Sequence, residues 1–81
     1  MPYDESRIDE AVLAVLYLGA FDEHGITRAW KGVEWDAMNR LFERGLIHDP
    51  RNKNKSVVFT HEGLAQAKAA AEKLFEAKGG E

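Results

Sequence analysis

LFERGLIHDPRNKNKSVVFTHEGLAQA, residues 41–67 of an 81-residue chain, carries a helix end, a hairpin and a helix start in one run. Trp35, Met38, Leu41 and Phe42 recur at helical spacings, so a helix closes at the start of this stretch. Gly45 suits the left-handed C′ position that stops a helix, which puts Leu46 at C″ against Leu41 at C3. Leu46-Ile47-His48 and Ser56-Val57-Val58-Phe59-Thr60 have β composition. Asp49, Pro50, Asn52 and Asn54 between them are turn formers, and the two runs are expected to pair as an antiparallel hairpin. Thr60 then caps a last helix in which Leu64, Ala67, Ala71, Leu74 and Phe75 make one stripe.

Upstream, Ser6 reads as the cap of a first helix running to about Leu18 or Gly19, with Asp9 closing a capping box. Its apolar residues fall on two lines: Ile8, Val12 and Val15 on one, Leu13, Leu16, Tyr17 and Ala20 on the other. A helix apolar on two sides is either central or shared with a second chain, and Leu13, Leu16 and Tyr17 are taken as the surface of a homodimer. Phe21 to Gly32 contains Asp22, His24, Gly25 and Gly32 and reads as a connection with one helical turn around Thr27 to Lys31. The second helix is placed at Val33 to Arg44. The expectation is one α+β domain over residues 1–81, with residues 1–5 and 78–81 frayed. Its order is helix, short turn, helix, strand, strand, helix.

A hydrophobic fraction of 44% with 31% charged residues is ordinary for a folded domain, and a chain of this length has material for a single core. There is no cysteine, hence no disulfide, thiolate metal site or cysteine nucleophile. The start, MPYDESRIDE, is acidic where a signal peptide is basic, and the apolar run Ala11 to Phe21 is too short to cross a bilayer. A cytoplasmic protein without a membrane partner is expected. His24, His48 and His61 lack metal-ligand spacing, and no phosphate-binding glycine motif or nucleophile elbow occurs. The expectation is therefore no metal, no cofactor, no small-molecule ligand and no catalysis.

The net charge of −3 is unevenly spread. Residues 1–26 carry Arg7 against six carboxylates, whereas residues 27–55 carry seven cations against four. A basic middle between acidic ends points to an anionic partner for the middle. Trp30 and Trp35 suit either base stacking or core anchoring; Trp35 fits the helical stripe and is assigned to the core, Trp30 to the surface.

Taken together, Leu41, Gly45, Leu46, Ile47, Thr60 and Gly63 make a segment that resembles the second half of winged-helix domains, especially the MarR-like and PadR-like bacterial regulators. The whole chain also resembles a group of short uncharacterised bacterial proteins sharing its YDE-x-x-IDEAVLA opening and its AWKG segment. The first resemblance implies a winged-helix-like fold and a DNA-binding, transcription-regulatory role. It makes Val33 to Arg44 the recognition helix, with Asn39, Arg40 and Arg44 facing the groove, and Asp49 to Lys55 the wing tip, with Arg51, Lys53 and Lys55 on phosphate. Three phosphate contacts alone would give weak, salt-sensitive binding, with a slope of about −2.7 in log affinity against log salt. The alternative is a winged-helix module that pairs with itself or another protein and carries a charged wing for solubility.

Overall fold

The computed structural model describes residues 3–32 and 35–76. Val33 and Glu34, expected to open the second helix, lie outside the described residues, as do residues 78–81. Helix α1 spans Glu5–Leu18. Its cap is Asp4 rather than Ser6: the Asp4 carboxylate accepts from the Ser6 backbone N–H at 2.9 Å and from the Ser6 hydroxyl at 2.7 Å. A carboxylate at the positive end of the helix dipole outcompetes a hydroxyl there. Moving the cap two residues upstream frees Asp9 from the capping role.

After α1 the chain does not make a helical turn. Strands β1 (Phe21–Glu23) and β2 (Ile26–Trp30) form a hairpin in register Phe21↔Arg28, Asp22↔Thr27 and Glu23↔Ile26. His24 and Gly25 between them have φ of 53° and 83°, the left-handed pair that a two-residue hairpin turn requires. The turn at Thr27 to Lys31 is thereby replaced by a strand whose residues alternate, Ala29 inward and Arg28 and Trp30 outward. Strand β3 (Ser56–Val58) pairs antiparallel with β2, giving a three-stranded sheet of order β1-β2-β3.

The hairpin expected between Leu46 to His48 and Ser56 to Thr60 forms, though narrowly. Ile47 bridges Phe59, the His48 N–H donates to the Val58 carbonyl at 2.9 Å, and the Thr60 N–H donates to the Leu46 carbonyl at 3.0 Å. Helix α2 covers Trp35–Glu43 and ends as expected. Gly45 sits at φ 77°, its N–H donating to the Phe42 carbonyl at 3.0 Å, and the Leu46 N–H donates to the Leu41 carbonyl at 2.9 Å. That bond pair is the Schellman motif.

Helix α3 runs His61–Phe75, capped by Thr60, whose hydroxyl oxygen accepts from the Gly63 N–H at 2.9 Å. The same hydroxyl donates to the Gly45 carbonyl at 2.7 Å, so one threonine ties the end of α2 to the start of α3. α1 packs across α3 and α2, and the sheet closes the core with its inner residues Ala29, Val57 and Phe59, beside Ile47. Met38, Leu41, Leu46, Ile47 and Pro50 are the largest fully enclosed side chains. Leu13 and Leu16 are enclosed by the chain's own core and Tyr17 is half-buried, so the line assigned to a homodimer surface is occupied within one chain.

Gly63 is demanded by space rather than by conformation. A Cβ added there would land on the Leu46 carbonyl group, whose oxygen and carbon belong to backbone that cannot rotate away. Gly45 has open space around it and needs only its left-handed φ. Two glycines in one junction thus answer to different forces. Gly63→Ala is expected to cost about 3 kcal/mol by overpacking, and Gly45→Ala about 1 kcal/mol by strain. Urea unfolding followed by circular dichroism separates the two, and a Gly63→Ala protein as stable as the parent would contradict the close approach.

Candidate functional site

The seven cations of the basic middle fall into two groups once folded. Arg28 lies on the outer face of the sheet with its side chain 15% exposed, donating from Nε to the Ser56 hydroxyl at 2.7 Å and facing Glu23 at 3.8 Å. Arg40 turns toward α1, where Nε donates to both Asp9 oxygens at 3.0 and 3.1 Å and a terminal nitrogen lies 2.8 Å from Oδ1. Glu5 adds a longer contact to Arg40 at 3.5 Å, and Arg44 approaches Asp9 at 3.8 Å. Of the three residues assigned to a groove-reading row, Asn39 and Arg44 are exposed, Arg44 with a long approach to Asp9, and Arg40 leans on Asp9. A buried carboxylate with hydrogen-bonding partners holds a guanidinium more strongly than solvent does, and it draws Arg40 off the outer surface, while Arg44, 3.8 Å away, keeps a side chain 49% exposed.

Asp9 is the functional surprise of α1. Its side chain is 4% exposed and occupies the core-facing line with Val12, Leu13 and Leu16. The signal was present in the sequence as a carboxylate at a spacing of three, four and seven from apolar residues. It was absorbed by the capping reading of Ser6.

The second group gathers at the loop between Ile47 and Phe59. Residues 49–55 are held by side-chain-to-backbone turns rather than left loose. The Asp49 carboxylate accepts from the Arg51 N–H at 2.9 Å, Asn52 Nδ2 donates to the Asp49 carbonyl at 3.0 Å, and Asn52 Oδ1 accepts from the Asn54 N–H at 2.9 Å. Pro50 anchors the loop in the core. Lys31, at the end of β2, reaches across to Asn52, with Nζ 3.0 Å from Oδ1, and its backbone N–H donates to the Lys55 carbonyl at 2.9 Å. Lys31 thereby joins Arg51, Lys53 and Lys55 at one corner, a fourth cation that reading the loop by itself had missed.

These four are not equivalent. Arg51 chelates Asp49 through Nε at 3.0 Å and a terminal nitrogen at 3.2 Å, and stands 5.6 Å over the Phe42 ring. Lys53 and Lys55 make no side-chain hydrogen bond or ion pair among the described residues and are exposed. The donation from the Arg51 side chain and backbone holds the Asp49 carboxyl below its ordinary value of 3.8. Reciprocally, the hydrogen bond and charge of Asp49 raise Arg51 above its ordinary value. The pair stays ionised through neutral pH, and Arg51 contributes less free charge than either lysine.

Both tryptophans border this corner in the open. Trp30 is 59% exposed on the outer sheet face, opposite Ser56, with its ring centroid 4.9 Å from that of Phe21. Trp35, assigned to the core, is 49% exposed at the first residue of α2, with the Lys31 ammonium 6.0 Å from its ring. Helical spacing aligned Trp35 with Met38 and Leu41, but the stripe fills from its middle and the terminal position stays outside. Among the described residues, no group of three or more acidic, histidine or cysteine side chains converges as a metal site, and no helix is long and apolar enough to cross a membrane.

Comparison with known proteins places this geometry beside relatives. The family described as "Domain of unknown function (DUF6429)" matches residues 4–77. The "Uncharacterized protein y4hR" of Sinorhizobium fredii (strain NBRC 101917 / NGR234) is 49% identical over 75 residues, covering 93% of this chain and 97% of that protein. No solved structure matches.

Removing the Asp9 charge strands a guanidinium that is only 24% exposed. Asp9→Asn is expected to destabilise the domain by about 3 kcal/mol, and a double change to Asp9→Leu with Arg40→Met to recover most of it; chemical denaturation of the three proteins gives the comparison. In the loop of residues 49–55, a depressed carboxyl pKa means that the Asp49–Arg51 contact is fully present above pH 3.8 and is lost as pH falls through the lower folded value. Arg51→Gln is expected to return the Asp49 carbon-13 titration midpoint toward its ordinary position, and an unchanged midpoint would show that Arg51 is not its cause.

Proposed function

The chain belongs to the DUF6429 family, and within that family we propose that it is a small winged-helix-like binding domain, not a catalyst, that contacts nucleic acid through its wing. The observation that carries this reading is the convergence of Lys31, Arg51, Lys53 and Lys55 on one pre-shaped corner of a chain that is acidic overall. Phosphate binding needs cations that face solvent and stay put, and a loop fixed by Asp49, Pro50 and Asn52 meets the second need without rigid strands. The Schellman end of α2, the Ile47–Phe59 bridge and the Thr60 cap support the winged-helix-like comparison. The strand β2 standing before α2, where helix-turn-helix proteins have a helix, and the inward turn of Arg40 argue for an abbreviated version that relies on the wing.

A second reading rests on a separate observation. Val15 and Leu18 of α1 are 47% and 64% exposed, Leu74 of α3 is 43% exposed, and Ala11 and Leu74 line one shallow groove together with Arg7, Glu10 and Lys73. An apolar strip along two helices suits self-association or a protein partner. It lies on the opposite line of α1 from Leu13 and Leu16, so a homodimer would use Val15 and Leu18 in their place.

Fluorescence anisotropy with labelled duplex and single-stranded oligonucleotides at low salt tests the nucleic-acid reading. Binding is expected to weaken with salt, and Lys53→Gln with Lys55→Gln to flatten the dependence by about 1.8 on duplex or about 1.4 on a single strand. No binding to either, or an unaffected double variant, would remove the wing from the proposal. Light scattering of the parent beside Leu18→Lys decides the second reading, since a strictly monomeric parent leaves the apolar strip without that role.

A further inference from the structure

We infer that the wing corner takes single-stranded nucleic acid, with Trp30 and Trp35 as base-stacking platforms on either side of the Lys31–Asn52 contact. This rests on the nucleic-acid reading of the wing and narrows its ligand. A single strand presents two things together that a duplex separates: an accessible phosphate chain and unpaired base faces. The corner presents the complement of both. Lys31 Nζ lies between the Asn52 side chain, at 3.0 Å, and the Trp35 ring, at 6.0 Å, and Trp30 is the cross-strand partner of Ser56, next to Lys55.

Each ring has a structural reason for standing open. Trp30 shares the outer sheet face with Phe21 and Arg28, and its contact with Phe21 is tilted by 33° at 4.9 Å, steadying the indole while 59% of the residue stays exposed. Trp35 begins α2 at the rim, where the core stripe of Ala37, Met38 and Leu41 has not yet started. An 81-residue domain that leaves its two tryptophans 59% and 49% exposed, at one cationic corner, has placed its best stacking surfaces where a strand's bases would lie.

The features that would favour duplex reading are reduced in the same fold. Arg40 is drawn to Asp9, leaving Arg44 as the exposed arginine at this helix, and the exposed residues of α2 include Asp36 and Glu43 beside Asn39. Carboxylates on a helix laid into a groove face the phosphates on both sides and repel them. A strand running over the wing and the sheet meets Lys31, Lys53 and Lys55 instead.

The test uses the full chain with three probes, oligothymidylate, oligouridylate and a random-sequence hairpin duplex, at matched nucleotide concentration. Tighter binding of either single strand than of the duplex is expected, with quenching of indole emission that the duplex does not produce. Trp35→Leu and Trp30→Leu are each expected to weaken single-strand binding about tenfold, with Trp→Phe at the same positions retaining most of it. Because Trp30→Leu removes the partner of Phe21, circular dichroism of that variant is compared first, and quenching of Trp30 alone in a Trp35→Phe protein reports stacking without that risk. If the duplex binds as tightly and the tryptophan variants are unaffected while Lys53→Gln with Lys55→Gln weakens both, stacking is overturned and the wing reading stands. No binding of any probe overturns both. Loss of self-association on a sizing column in the tryptophan variants, without oligonucleotide quenching, would assign the rings to a protein contact and overturn the inference.

Discussion

Everything in this fold hangs from the place where the first turn of α3 lies against the Leu46 carbonyl. The two backbones come so close that position 63 has no room for a side chain. Thr60 holds the approach from three directions: its N–H on Leu46, its hydroxyl proton on Gly45, and its hydroxyl oxygen under the Gly63 N–H. Because Leu46 is also the C″ residue of the Schellman end of α2, the same few atoms stop one helix and start another. They also aim Ile47 at Phe59, which sets where the loop of residues 49–55 leaves the body. A small domain with a single core has few other means of fixing three helices and a sheet to one another.

The second organising element is ionic. Asp9 takes the one core-facing position of α1 that is not apolar and answers it with Arg40, so α1 and α2 meet over a hydrogen-bonded ion pair rather than over methyl groups alone. Such a pair contributes less to stability than to register, since its strength depends on both partners being aligned. Its side effect is on the surface. By drawing Arg40 inward it lessens the outward cationic character of α2, while Lys31, just past β2, stands with Arg51, Lys53 and Lys55 at the loop of residues 49–55.

Much of this corner was legible in residue types. Arg51, Lys53 and Lys55 stand in a turn-forming run, and that run is the tip of the loop between Ile47 and Phe59. What the residue types could not convey was the order among them. Arg51 is tied to Asp49 two positions away, while Lys31, twenty-one residues from Asn52 in sequence, is at hydrogen-bonding distance from it. Spacing along a chain reveals neighbours within a helix or a turn, but not which strand end lies beside which loop.

Local signals of strong amplitude determined their outcomes without help: Gly45 as a helix stop, Thr60 as a cap, the paired β runs on either side of Asn52, and the middles of the apolar stripes of α2 and α3, whose outer members Trp35, Leu74 and Phe75 stay exposed. These rest on backbone sterics and on hydrogen bonds spanning a few residues, so the sequence alone suffices for them. Tertiary structure decided the rest. Phe21 to Trp30 became a hairpin because β3 offers β2 an edge to pair with, and an edge is invisible to a local reading. Leu13 and Leu16 faced inward because α3 and α2 both cover that side of α1, Asp9 followed them to meet Arg40, and Trp35 stayed outside for want of anything beyond the rim. Each of those outcomes is a competition for burial or for a partner among segments far apart in the chain, and only the folded arrangement says which segment wins.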